Sequence, residues 1–112
     1  MALAYSQHLR HFLPEDFTAE TLKKPELSPL LHSNFMGLPP TLVVTAEIDV
    51  LRSEGVAYAK RLQEEGDGWV HQWTAMGVPH AFPRQTAITP RAREFYELSA
   101  ETMKDAFAGN LT

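Results

Sequence analysis

The feature that most constrains this chain is the run Thr41-Leu42-Val43-Val44-Thr45-Ala46, apolar with β-branched side chains, between Pro39-Pro40 and the acidic Glu47. A strand that is apolar at consecutive positions expects cover on both faces, as in a parallel sheet packed between helices. Arg52 to Glu65 then carries Val56, Ala59 and Leu62 three apart, with Tyr58 on a neighbouring face. Lys60, Arg61, Gln63, Glu64 and Glu65 occupy the other side. That is an amphipathic helix, and Gly66 or Gly68 is placed to end it.

Trp69 to Ala75 alternates, with Trp69, His71, Trp73 and Ala75 on one side and Val70, Gln72 and Thr74 on the other. This spacing predicts a second strand. Strand, helix and strand in this order form a βαβ unit, whose two strands run parallel. Ala81 to Thr89 reads as a loop. A last helix runs from about Pro90, suited to a first turn, to Ala108, with Phe95, Leu98, Thr102, Met103 and Phe107 as its core face. Upstream, Ala2 to Leu13 has helical spacing that Pro14 would stop, and Pro14 to Pro40 is a proline-rich irregular connection. The expectation is an α/β chain with a helix and connection over 1–40 and a βαβα unit over 41–112. Two strands leave the sheet incomplete. It calls for further strands, or for a second copy of the chain at its edge.

The formal net charge of −4, without a basic patch, argues against nucleic acid as a partner. With no cysteine there are neither disulfides nor thiolate metal sites. His8 and His11 stand at i, i+3 without a third ligand, so neither a metal nor a cofactor is expected. No stretch approaches the roughly 20 apolar residues of a membrane span. The first residues are interrupted by Gln7, His8 and Arg10 and do not resemble a signal peptide. The default expectation is a cytoplasmic protein.

Asp49 lies just past the end of the first strand and His80 just past the end of the second. Parallel strands bring both ends to one edge of the sheet, where ligands and catalytic groups collect. An acid and a histidine there suit the acid–base half of a catalytic triad, in which the carboxylate orients the imidazole and stabilises the imidazolium. The plainer alternative is that Asp49 caps the helix and His80 is a solvated loop residue. Phe82, beside His80, is the candidate for lining a substrate pocket. Trp69 and Trp73 are better explained as core.

Four blocks occur in order: Ser28-Pro29-Leu30-Leu31; Gly37-Leu38-Pro39-Pro40 continuing into Thr41 to Ala46; Asp49-Val50-Leu51-Arg52-Ser53-Glu54-Gly55; and Gly77-Val78-Pro79-His80-Ala81-Phe82. Together they resemble the C-terminal third of the hormone-sensitive-lipase-like esterases, the α/β-hydrolase fold-3 family. The resemblance implies carboxylic ester hydrolysis on small-molecule esters of short or medium acyl chain, with Asp49 as triad acid and His80 as triad histidine. Arg52 and Glu54 match recurrent charged positions, for which a local ion pair at the helix start is expected. Two departures stand out. Val50 replaces the family's usual proline. Ala81 replaces the usual glycine after the histidine, which is costly if the backbone there needs positive φ.

The family's G-x-S-x-G elbow and its HGG-type oxyanion loop are absent from the sequence. Ser6, Ser28, Ser33, Ser53 and Ser99 all lack flanking glycines of that pattern. The expectation is a portion of a serine esterase, truncated or split, that is inactive alone. The alternative is a non-catalytic remnant serving as a binding or assembly module, for which plant gibberellin receptors, similar to this family, provide precedent.

Overall fold

A computed structural model describes His11, Leu13 and residues 15 to 112. Apart from His11 and Leu13, the helix expected over Ala2 to Leu13 lies outside the described residues, as does His8. The chain divides into two compact units, Met1–His32 and Ser33–Thr112. The second begins ahead of Thr41 because Phe35, only 3% exposed, packs its ring edge-on against Tyr58 and lies under the Arg61 guanidinium.

In the first unit, α1 is a single turn, Ala19–Leu22. The Thr18 hydroxyl accepts from the Thr21 N–H, and the Thr21 hydroxyl accepts from the Thr18 N–H. This reciprocal cap satisfies two donors that a short helix otherwise leaves open. Ser28 donates to the Leu22 carbonyl oxygen at 2.6 Å, and Pro29–Leu31 forms a 3-10 turn.

The second unit is built as β1 (Thr41–Ile48), α2 (Arg52–Glu65), β2 (Val70–Pro79), a 3-10 turn (Phe82–Arg84) and α3 (Pro90–Phe107). β1 and β2 pair in parallel, in register from Thr41 with Val70 to Ala46 with Ala75. The expected βαβα order and the bounds of α2 agree with this.

The two faces of the sheet differ in chemistry. On one, the Thr45 and Thr74 hydroxyls meet at 2.9 Å and Gln72 donates to both. α2 lies against this face at Gly55, where an added Cβ would sit 2.7 Å from Thr45 Cγ2. On the other, Ala46 and Ala75 join Val78, Phe82 and Ala92 in the core, with Val44, Trp73 and Phe95 packed around them. Strand alternation therefore gives α2 one face and α3 the other. The alanines let α3 approach closely, since Ala75 and Ala92 are wholly buried.

α3 ends where Gly109, at φ 73°, allows the Gly109 N–H to reach the Ala106 carbonyl and the Asn110 N–H to reach that of Asp105. That pair of bonds is the glycine-terminated helix stop. The sequence-expected core face of α3 needs correction. Met103 is 55% and Phe107 91% exposed, while Ala92 is the buried residue of this helix. Leu42, Val43 and Val44 are only half-buried in a sheet of two strands. Their apolar run is longer than this sheet covers, as the expectation of an incomplete sheet requires.

Past Ala75 the register slips. Ile48 pairs with Pro79, so β2 carries two more residues than β1 across this stretch. Gly77, at φ 75°, makes the bulge possible, since a left-handed backbone costs a Cβ-bearing residue steric strain.

Candidate active site

Asp49 leaves β1 into a tight turn. Its Oδ1 accepts from the Leu51 N–H at 3.0 Å, and its carbonyl accepts from the Arg52 N–H at 3.2 Å. Aspartate folds its side chain back onto the backbone two residues ahead in this way without help from proline. Val50 is therefore accommodated, with its side chain turned outward and the residue 61% exposed.

The second carboxylate oxygen, Oδ2, lies 2.6 Å from His80 Nδ1. The Asp49 side chain is 8% exposed and that of His80 74%. The arrangement is a sheltered carboxylate holding an accessible imidazole. Burial pushes the Asp49 carboxyl up, but the Leu51 N–H and the His80 ring together outweigh it and hold the carboxyl below its ordinary value. A carboxylate that accepts at Oδ2 places the proton of the neutral ring on Nδ1. The other nitrogen, Nε2, is then the one able to take or give a proton.

The loop after His80 is seated from beneath. Ala81 has φ −81° and ψ 13°, an ordinary backbone, so the glycine of the resembling family is not required here. Phe82 is 2% exposed, with its ring edge-on to both Trp73 and Phe95. This corrects the expectation that Phe82 lines a substrate pocket. The ring belongs to the core and anchors the loop. Trp73 packs there too, whereas Trp69 stacks on His71 at 6.0 Å. A hollow of about 200 Å³ beside Trp69 and His71 lies at the start of β2, away from His80.

Arg52 reaches back to donate to the Glu47 carbonyl oxygen at 3.2 Å. The ion pair expected between Arg52 and Glu54 does not occur among the described residues. Glu47, whose sequence neighbourhood carries no signal of a partner, accepts from the Gly77 N–H through Oε2 at 2.6 Å. Ser53 is exposed in the first turn of α2, and among the described residues no serine bonds His80. No group of three or more metal-ligating side chains gathers among them either. No helix among them is long and apolar enough to cross a membrane.

Comparison with known proteins places the chain in a family. The family described as alpha/beta hydrolase fold matches residues 4–84. An arylesterase of Saccharolobus solfataricus is 51% identical over 87 residues, 77% of this chain and 27% of its own length. Lipase 2 of Moraxella sp. (strain TA144) is 44% identical over 61 residues, 52% of this chain and 14% of its own. The crystal structure of a thermostable carboxylesterase from a metagenomic library superposes with a TM-score of 0.73 at 34% identity, covering 80% of this chain and 30% of that one. The chain belongs to the α/β-hydrolase fold family, in its fold-3, esterase-like branch. It spans less than a third of the length of each of these three relatives.

Proposed function

We propose that the chain supplies the acid and the histidine of a Ser-His-Asp carboxylic ester hydrolase. The observation that carries this is the 2.6 Å bond between Asp49 Oδ2 and His80 Nδ1 at the ends of two parallel strands. In the proposed reaction His80 Nε2 removes the proton of a serine hydroxyl as it attacks the ester carbonyl, then returns it to the departing alkoxide. The same nitrogen next activates water against the acyl-enzyme. Asp49 keeps the ring oriented and stabilises its positive charge.

The serine and the oxyanion donors come from a segment outside these 112 residues, in the same polypeptide or a companion chain, because the sequence holds no G-x-S-x-G elbow. Alone, the chain has a base without a nucleophile. Further strands from that segment also complete the cover that Leu42 to Val44 lack. The substrate is a small carboxylic ester, a reading supported by the name arylesterase of the Saccharolobus solfataricus relative and the name ethyl acetate hydrolase of a Pseudomonas putida relative.

The test is a chimera in which this chain replaces the aligned portion of the 51% identical arylesterase. Hydrolysis of a short-chain nitrophenyl ester by the chimera, and none by the chain alone, supports the reading. A folded chimera whose activity survives His80→Ala contradicts it.

A further inference from the structure

We propose that Glu47 is a positioning residue for His80, its carboxylate holding the bulge of β2 whose register sets the imidazole beside Asp49. The inference rests on the acid–histidine pairing just proposed. Up to Ala46 and Ala75 the partner positions differ by 29, and at Ile48 and Pro79 by 31. The difference between Asp49 and His80 is also 31. Without the slip, the residue level with Asp49 would be Val78, an apolar core residue. The slip is therefore what brings the histidine to the acid.

Its cost falls on the backbone at Met76 and Gly77. A bulge leaves a strand N–H without its ladder partner, and at the exposed Gly77 that N–H is left to water unless a side chain takes it and fixes the bulge. Here the Gly77 N–H donates to Glu47 Oε2, a charge-assisted bond from the strand that the bulge faces. Glu47 is itself fixed at its carbonyl oxygen by Arg52 Nη1. Arg52, Glu47, Gly77 and the His80 loop thus form a chain of supports that does not touch the imidazole. Glu47 acts through the bulge and is not a catalytic residue.

The Asp49 carboxyl reports on the placement, because His80 is one of the groups holding it below its ordinary value. The experiment is carbon-detected NMR titration of Asp49 Cγ in the 112-residue chain, with amide exchange at Gly77 followed in parallel. His80→Ala sets the reference for a carboxylate that has lost its ring. The expected result is that Glu47→Ala and Glu47→Asp, the latter one methylene too short, raise the Asp49 midpoint to the His80→Ala value. Both also unprotect the Gly77 amide. Glu47→Gln, which keeps an acceptor at full length but removes the charge, does not raise the Asp49 midpoint and leaves the Gly77 amide protected.

The sign separates positioning from simple charge. Deleting a nearby negative charge would lower the Asp49 midpoint, whereas losing His80 raises it. If His80→Ala moves the midpoint but Glu47→Ala and Glu47→Asp do not, the Glu47 role is overturned and the pairing stands. If His80→Ala itself moves nothing, the pairing falls and takes the role of Glu47 with it. Should Glu47→Ala lose its dispersed amide spectrum, the comparison of Glu47→Asp with Glu47→Gln decides. Equal midpoints in those two would overturn the proposal.

Discussion

Ile48 pairs with Pro79 and not with Gly77, and by that slip Asp49 and His80 become neighbours. The contact between them joins a side chain 8% exposed to one 74% exposed, so the carboxylate is held and the imidazole is offered. This asymmetry suits a base that must reach a group delivered from elsewhere.

In the chimera, Asp49→Asn is expected to lower kcat by about 10⁴ while leaving KM nearly unchanged, the scale found when a triad histidine loses its tautomer-setting acid. Steady-state kinetics on a short-chain ester checks this. A loss of about tenfold or less would mean that Asp49 serves the turn alone.

Acid should find the same residue. The folded carboxyl of Asp49 lies below its ordinary value of 3.8. Its stabilising contribution is therefore fully present above that value and is lost as pH falls through the lower, folded one. Urea midpoints measured from pH 5 downward should decline in wild type more steeply than in Asp49→Asn. Parallel declines would show that Asp49 is not a source of acid lability.

Gly55 sits in α2 where an added Cβ would meet Thr45 Cγ2, a methyl of a buried β-branched side chain with little freedom to move. Gly55→Ala should thus fail to give the stabilisation of about 1 kcal/mol that alanine brings to a helix interior. In a Thr45→Ser background, which removes the methyl and keeps the hydroxyl, the gain should appear. A double-mutant cycle read by thermal unfolding measures the coupling.

Ala81 gives a prediction opposite to the one the family resemblance suggests. With φ at −81°, glycine there relieves no strain and only adds freedom to the unfolded chain. Ala81→Gly is expected to destabilise by about 0.5–1 kcal/mol. Stabilisation would contradict the backbone described for this loop.

Much of this architecture was legible from local pattern. The consecutive apolar residues of β1, the three-residue spacing in α2 and the alternation of Trp69 to Ala75 each depend on neighbours in sequence, and the elements formed there. Asp49 and His80 could be picked out because parallel strands send their ends to one edge. What escaped was non-local. The second strand was expected over Trp69 to Ala75, yet it continues past the bulge to Pro79, where Glu47, thirty residues upstream of Gly77, accepts from the Gly77 N–H. Glu47 looked like the polar end of an apolar run, and nothing in its own neighbourhood announces its partner. Met103 and Phe107 matched the helical period of α3 but lie beyond the reach of a two-stranded sheet, so the pattern outran the surface available to bury it.

The most direct test of the account is the tautomer of His80 in the chain itself, read from long-range nitrogen–proton correlations of the ring at a pH where it is neutral. The bond to Asp49 Oδ2 predicts the proton on Nδ1 and a bare Nε2, with the preference lost in Asp49→Ala. A proton found on Nε2 in the wild-type chain would contradict the claim that Asp49 sets this histidine to act as a base.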